Sequence, residues 1–140
     1  MGKQLDMQKQ TGIWIDKEKA FIINLTANKP TIRYIYSDIT NKERIAGEGK
    51  NFGRFGNQFL SMENKKNNRI KKQIDKYFNK ILLEIKDTNE VVLFGPAGMK
   101  NELEKMIKGN HHLKGKLSGV KTADSMTENQ MVAWVKDYFG

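Results

Sequence analysis

The chain has 140 residues, a length that fits one domain of ordinary size with a hydrophobic core of its own. It contains no cysteine, which excludes disulfides, thiolate metal sites and a cysteine nucleophile. Its 25 basic and 16 acidic residues leave a net charge of +9. Such an excess attracts polyanions, so nucleic acid is the first class of partner to consider; an anionic membrane and a merely soluble lysine-rich surface are the alternatives.

The first ten residues are polar and carry no periodic pattern. We therefore expect a flexible tail over residues 1–10 and a single domain over residues 11–140. The start lacks the apolar stretch of a secretory signal, and no later run approaches the roughly 18 apolar residues of a membrane span. The expectation is a cytoplasmic protein without a membrane partner.

Three strand-like runs come next. Residues 13–15 and 20–25 are mostly apolar and flank the charged Lys17-Glu18-Lys19, which predicts a hairpin. Asn28-Lys29-Pro30 supplies turn chemistry, and residues 31–39 are rich in β-branched and aromatic side chains. The sequence thus predicts a three-stranded meander.

The strand-like pattern ends at Thr40. Residues 40–61 contain four glycines and no sustained period, which predicts a long loop. From Met62 the apolar residues recur at spacings of three and four, as on one face of a helix. The apolar positions are Ile70, Ile74, Tyr77, Phe78, Ile81, Leu82 and Ile85; the other face is basic, with Lys65, Lys66, Arg69, Lys71, Lys72, Lys76 and Lys80.

The remaining sequence alternates strand and helix. Residues 90–94 run into the turn Gly95-Pro96-Ala97-Gly98 and a short helix that ends at Gly109, a parallel βα unit. Residues 117–122 form a last predicted strand, and Ser125-Met126-Thr127-Glu128 has the form of a capping box that opens a last helix. The prediction is an α/β fold with a mixed five-stranded sheet in the order β-β-β-α-β-α-β-α, which is the order of the ribonuclease H-like layout.

That layout requires a nuclease to be considered. A metal nuclease needs several converging carboxylates, whereas the first strand offers only Asp16, at a turn where aspartate is favoured for local hydrogen bonds alone. The pair His111-His112 has no metal-ligand spacing, and we interpret it as a loop. The turn after residue 94 lacks a known phosphate-binding fingerprint, so we interpret it as a tight turn, with phosphate binding as the alternative. No cofactor is expected.

The strongest functional signal is the loop that leads into the basic helix. Its glycines allow close approach of the backbone to a ligand, Lys50 and Arg54 can pair with phosphates, and Phe52 and Phe55 can stack on exposed bases. The alternative is a flexible loop whose phenylalanines pack on the sheet, beside a helix with a solvated face. The predicted RNA-binding residues are Lys50, Phe52, Arg54, Phe55, Gly56, Asn57, Gln58, Lys65, Lys66, Arg69, Lys72 and Lys76.

The sequence also contains landmarks of a known family: Gly12-Ile13-Trp14-Ile15-Asp16, Gly53-Arg54-Phe55-Gly56-Asn57-Gln58, and Phe94-Gly95-Pro96-Ala97-Gly98-Met99-Lys100. With them, residues 12–139 resemble the middle domain of the eukaryotic and archaeal class-1 peptide release factors and of Pelota. Related bacterial proteins include the group labelled host attachment protein. The resemblance implies the translational-machinery version of the ribonuclease H-like fold and a partner that is the ribosome, ribosomal RNA or tRNA.

In release factors the corresponding loop carries Gly-Gly-Gln, which helps water to hydrolyse peptidyl-tRNA. Here Gly56-Asn57-Gln58 has asparagine at the second position, which adds a side chain where the family has none. The resemblance therefore implies a stand-alone ribosome-associated factor, for rescue of stalled ribosomes or protection of idle ones, that binds without catalysis. Two alternatives stay open: ester hydrolysis through Gln58, and a protein-interaction module with an incidental basic surface. The sequence leaves the oligomeric state open, although an exposed edge strand could pair with a copy of itself.

Overall fold

The computed structural model describes residues 8–39, 56–96 and 98–140, and over residues 56–67 it describes the backbone alone. The described elements are strands β1 (Lys9–Ile15), β2 (Lys19–Thr26), β3 (Lys29–Tyr36), β4 (Glu90–Gly95) and β5 (Leu117–Thr122), helices α1 (Gly56–Glu84), α2 (Met99–Lys108) and α3 (Glu128–Phe139), and a 3-10 turn at Lys114–Lys116. The predicted α/β fold with a mixed five-stranded sheet is confirmed.

The sheet has the strand order β3-β2-β1-β4-β5. The first three strands form an antiparallel meander, while β4 and β5 run parallel to β1. The β2–β3 connection is a two-residue turn in which Ala27 and Asn28 have φ of 53° and 66°, the type I′ geometry whose twist suits a hairpin. The parallel strands need longer crossovers, which α1 and α2 provide.

The two faces of the sheet carry different cores because side chains alternate along each strand. Ile13 and Ile15 of β1 pack with α1 and α2, and Trp14 between them packs with α3. The result is a three-layer arrangement, with two helices on one face and one on the other. No helix in the described part of the chain is long and apolar enough to cross a bilayer.

The chain enters the sheet earlier than the sequence predicted. β1 begins at Lys9, so Lys9 and Gln10 belong to the strand and not to the expected tail over residues 1–10. The Lys9 backbone N–H donates to Asn89 Oδ1 at 2.8 Å, and the Lys9 ammonium lies 3.1 Å from an Asp87 carboxylate oxygen. These partners are 78 to 80 residues away in the chain, so a local reading of residues 1–10 could not reveal them.

The predicted loop over residues 40–61 is also partly wrong, because α1 begins at Gly56 and not at Met62. The prediction relied on a regular apolar period, which residues 57–61 lack. Gln58, Leu60 and Met62 nevertheless have good intrinsic helix propensity, and no proline interrupts the segment.

The last helix has its capping box two residues later than predicted. The Thr127 hydroxyl, not that of Ser125, accepts from the Gln130 N–H at 3.2 Å, and the Gln130 side chain accepts from the Thr127 N–H at 2.9 Å. Both residues carry a Glu or Gln three positions on, so the sequence offers two frames. In the observed frame Met131 and Val135 are buried against the sheet.

Candidate nucleic-acid interface

The core-facing side of α1 fixes the direction of its basic side. Tyr77, Phe78 and Ile81, together with Ile85 just after the helix ends, are all at most 2% exposed and pack against the sheet and α2. The Tyr77 hydroxyl donates to the Asp16 carbonyl at 3.1 Å, and burial raises the pKa of this hydroxyl, with the charge of Asp16 as a second cause. The helix therefore cannot rotate without breaking up the core.

Opposite this core-facing side lie four cations, which we call the basic stripe. Arg69, Lys72, Lys76 and Lys80 follow one another at spacings of three, four and four residues, so they occupy one side of the helix over a length of about 17 Å. All four are exposed. The exposed Leu83, three residues after Lys80, continues the stripe with an apolar side chain that is 67% exposed.

The charge of the stripe is only partly neutralised. The Lys80 ammonium lies 3.8 Å from an Asp38 carboxylate oxygen, in an ion pair whose members are both exposed. Within residues 8–39, 68–96 and 98–140, no carboxylate lies within 4.0 Å of the Lys72 or Lys76 ammonium. As far as the described residues go, a polyanion that binds these two lysines displaces no carboxylate.

Glu84, the last residue of α1, does not pair with the basic stripe. Glu84 accepts a bidentate pair of hydrogen bonds from Arg33 of β3, at 2.9 and 3.4 Å, and these bonds raise the pKa of the Arg33 guanidinium. The pair fastens the end of α1 to the sheet edge. It also removes one carboxylate from competition with an anionic ligand along the stripe.

The structure describes only some of the predicted RNA-binding residues. Arg69, Lys72 and Lys76 are exposed on one side of α1, as the basic-face prediction requires. Gly56, Asn57, Gln58, Lys65 and Lys66 lie within α1, over the stretch where the backbone alone is described, so the three residues of the Gly-Asn-Gln motif are helical and not in a loop. The remaining residues, Lys50, Phe52, Arg54 and Phe55, lie outside the described residues.

The other candidate residues have local structural roles. The Asp16 carboxylate accepts from the N–H groups of Glu18 and Lys19 at 2.8 and 2.9 Å, which confirms the turn interpretation. His112 is exposed in the loop after α2, with Nε2 2.8 Å from the Lys86 carbonyl oxygen. No group of three or more potential ligands that could hold a metal ion is found in the part of the chain that the structure describes.

The turn after β4 holds a buried lysine that the sequence reading did not single out. Lys100, in the first turn of α2, is 2% exposed, and its ammonium donates to the Pro96 carbonyl at 3.4 Å. Gly95 and Gly98, the first and last residues of the turn, have φ of 126° and 106°, values at which glycine is favoured. The tight-turn interpretation accounts for these observations. Lys100 lies three residues before Leu103 and seven before Ile107, so the helical period places it on the buried side of α2. Its charge, which is typical of surface residues, conceals that position in the sequence.

No protein-family model and no curated protein matches this chain by sequence. Solved structures match by fold. The Pelota protein of Thermoplasma acidophilum superposes with a TM-score of 0.54 over 93% of this chain at 13% identity. The Pelota protein of Archaeoglobus fulgidus gives a TM-score of 0.52 over 97% of this chain at 11% identity.

The fold is that of a domain present in Pelota. The match covers 32% and 33% of the two Pelota chains, so this chain spans about a third of their length. An archaeal translation termination factor matches over 96% of this chain and 39% of its own, with a TM-score of 0.46 and 16% identity. At such identities the likeness concerns the fold alone.

Proposed function

We propose that this protein binds RNA of the translation machinery, ribosomal RNA or a tRNA-like element, through the basic stripe of α1 and without catalysis. The observation that carries the proposal is the pair Lys72 and Lys76, exposed on the solvent side of α1 with no carboxylate partner within the described residues. Neutralisation of phosphates by such lysines releases counterions, which supplies most of the affinity of sequence-independent RNA binding.

The rigidity of α1 supports the same reading. Its opposite side is locked into the core by Tyr77, Phe78 and Ile81, so the cations have a fixed spacing instead of moving with a loop. Leu83 at the end of the stripe adds an apolar contact of the kind that a base or ribose can cover. The basic stripe and Leu83 together therefore form one row of positive charges that ends in an apolar side chain.

The predicted loop residues Lys50, Phe52, Arg54 and Phe55 would extend this surface beyond α1. In the proposal Lys50 and Arg54 pair with phosphates, while Phe52 and Phe55 stack on exposed bases. Lys65 and Lys66, about one turn before Arg69, would lengthen the row of phosphate contacts.

In its most specific form, the proposal is that the RNA partner belongs to the ribosome. Its support is the Pelota-like fold, together with the resemblance of residues 12–139 to the middle domain of release factors. A role in the rescue of stalled ribosomes or in the protection of idle ones fits a single domain of this kind. No observation on the described residues favours ester hydrolysis through Gln58, which stays a prediction of the sequence.

The first test is sedimentation of the tagged protein in cell lysate through sucrose gradients, at low and high salt, in growing and in starved cells. We expect co-migration with ribosomal particles that is lost when salt is raised. Migration at the top of the gradient under every condition would overturn the ribosomal form of the proposal.

The second test measures binding of the purified protein to a ribosomal RNA fragment over a range of salt. We expect the double variant Lys72→Gln, Lys76→Gln to weaken binding about tenfold and to reduce the slope of log affinity against log salt by about 1.4 to 1.8. The control Lys114→Gln, Lys121→Gln removes the same charge from two other exposed lysines and should bind within about twofold of the unmodified protein. Equal weakening by both doubles would show that net charge alone acts, and would refute the stripe.

A further inference from the structure

The free edge of the sheet at β3 carries an inference that does not depend on RNA binding. In the part of the chain that the structure describes, β3 pairs with β2 alone. Its Tyr34 and Tyr36 are 46% and 58% exposed on the α3 side of the sheet, although Tyr34 makes an edge contact with the Phe21 ring at 5.2 Å. An edge strand with exposed aromatic side chains can template pairing with another strand.

The hydrogen bonds between β2 and β3 show which backbone groups are unused. Ser37 N–H donates to the Glu18 carbonyl at 2.9 Å, so these two opposite residues form a hydrogen-bonded pair. Because such pairs alternate along an antiparallel ladder, Ile35, Arg33 and Thr31 also bond to β2. The residues whose N–H and C=O groups point away from the sheet are therefore Ile32, Tyr34 and Tyr36, with Pro30 in the same series but without an N–H. That is the kind of position at which an edge strand tolerates proline.

We propose that β3 pairs antiparallel with β3 of a second copy of this chain, about a two-fold axis at Tyr34. In such a dimer the outward N–H and C=O groups of one β3 must bond to the outward groups of the other β3. With a two-fold axis, this requires that one residue of β3 lies directly opposite the same residue of the second copy. The candidate centres within the ladder are Ile32, Arg33, Tyr34 and Ile35. The chemistry of β3 distinguishes among them.

A centre at Arg33 would set the two Arg33 side chains directly opposite each other, which is unfavourable. A centre at Ile32 would place Pro30 opposite Tyr34 and lose hydrogen bonds at both ends. A centre at Ile35 would leave only the two pairs between Tyr34 and Tyr36. The centre at Tyr34 pairs Ile32 with Tyr36 and Tyr34 with itself, giving about six hydrogen bonds with no proline in the ladder.

With the axis at Tyr34, the side chains of the two β3 strands also complement each other. The Tyr34 and Tyr36 rings of both copies would meet on the α3 side of the joined sheet, and Arg33 would lie opposite Ile35 instead of a like charge. Lys29 of one copy would fall near the Asp38 end of the other β3, so that unlike charges meet at both ends of the ladder. The Asp38 side chain is 77% exposed in its pair with Lys80, which leaves it accessible.

The symmetry has a consequence for the basic stripe. The axis runs through the sheet, so the two α1 helices lie on the same side of the joined sheet. The charge of +9 on each copy opposes association, and salt screens that repulsion. Dimer formation should therefore strengthen with added salt, whereas RNA binding weakens.

Sedimentation equilibrium of the full chain, over a wide range of concentration and at low and high salt, tests the dimer. We expect Tyr36→Pro, which removes an outward N–H that β2 does not use, to raise the dissociation constant at least about tenfold. Tyr36→Thr removes the same ring and keeps the N–H, and should raise it by no more than about threefold. A monomer at every concentration, or equal effects of the two variants, would overturn the proposal.

Cysteine cross-linking tests the register, because the chain has no cysteine of its own. Hydrogen-bonded antiparallel pairs have Cα atoms about 5.5 Å apart, within the range that a disulfide spans. Under mild oxidation Tyr34→Cys should form a covalent dimer by itself and Tyr36→Cys should not, whereas a mixture of Ile32→Cys and Tyr36→Cys should. Cross-linking of Tyr36→Cys with itself, or none by Tyr34→Cys, would refute the axis at Tyr34.

Discussion

The two faces of the sheet are completed in different ways. On one face α1 and α2 cover an aliphatic core built on Ile13, Ile15 and Ile22, and Tyr77 and Phe78 close it from the helix side. On the other face α3 is the one helix, among the described residues, that covers Trp14, Phe21 and Phe94, and the ring of Trp134 stacks on that of Phe94 at 4.1 Å between centroids. This helix reaches the edge strand only in part: Glu128 hydrogen-bonds Tyr34, while Tyr34 and Tyr36 stay 46% and 58% exposed.

The two faces therefore offer different surfaces to a partner. The α1 face is covered out to β3 and is tied to it by Arg33–Glu84 and Lys80–Asp38, so what it offers to a partner is the outer side of a helix, where charge can be presented at fixed spacing. The α3 face leaves the Tyr34 and Tyr36 rings exposed, beside backbone groups of β3 that no strand in the described part of the chain uses. A polyanion suits the first surface and another strand suits the second.

The largest expected effect tests the α1 face. Ile81→Ala removes a fully buried side chain at the centre of that core and should lower the free energy of unfolding by about 2 to 5 kcal/mol. Chemical denaturation checks it, with Leu83→Ala as the control. That side chain lies two residues away on the same helix but is 67% exposed, so its loss should cost less than about 0.5 kcal/mol. Similar costs for both variants would mean that α1 does not pack as described.

An intermediate effect is expected where α3 meets β1. A methyl group at Gly12 would collide with the Val135 side chain, which is fully buried, so Gly12→Ala should cost about 1 to 3 kcal/mol. Val135→Ala makes room for that methyl group, and the double variant should be no less stable than Val135→Ala alone. Thermal unfolding of the single and double variants measures this coupling. Simple additivity of the two costs would show that α3 lies farther from β1.

The smallest expected effect concerns the start of α3. Thr127→Ala removes the hydroxyl that accepts from Gln130 N–H, and should cost about 1 kcal/mol. Ser125→Ala, at the position where the sequence first suggested a cap, should change the free energy of unfolding by less than about 0.5 kcal/mol. Denaturation of both variants distinguishes the two frames, and the opposite ranking would restore the frame predicted from the sequence.

Sequence reasoning was most successful where a pattern is local and repeated. The apolar runs of β1 and β2 around a charged turn predicted the hairpin. The spacing of Ile70, Ile74 and Ile81 predicted α1 and the side that it buries, because the helical period follows from backbone geometry alone. The same helical period placed Arg69, Lys72 and Lys76 on the outer side. The residues of the predicted loop at Lys50, Phe52, Arg54 and Phe55 lie outside the described residues, and their role stays a prediction.

It was least successful where the partner is distant. Lys9 is held in β1 by Asp87 and Asn89, whose side chains accept from its ammonium and from its backbone N–H, and such distant partners leave no pattern around Lys9. Lys100 shares the buried side of α2 with Leu103 and Ile107, but its charge conceals that position in the sequence. The start of α1 at Gly56 was missed for another reason: propensity without an apolar period is a weak signal.

The sequence by itself determined the order of the elements, the buried side of α1 and its basic character, since those depend on apolar runs, on the helical period of 3.6 residues and on composition. Only the tertiary structure decided which cations find an acidic partner. Lys80 meets Asp38 and Arg33 meets Glu84 across the gap between sheet and helix, while Lys72 and Lys76 have no carboxylate within 4.0 Å among the described residues. It also decided that β3 is the edge of the described sheet, because strand order depends on how crossovers pack over the sheet and not on the residues of the strand itself.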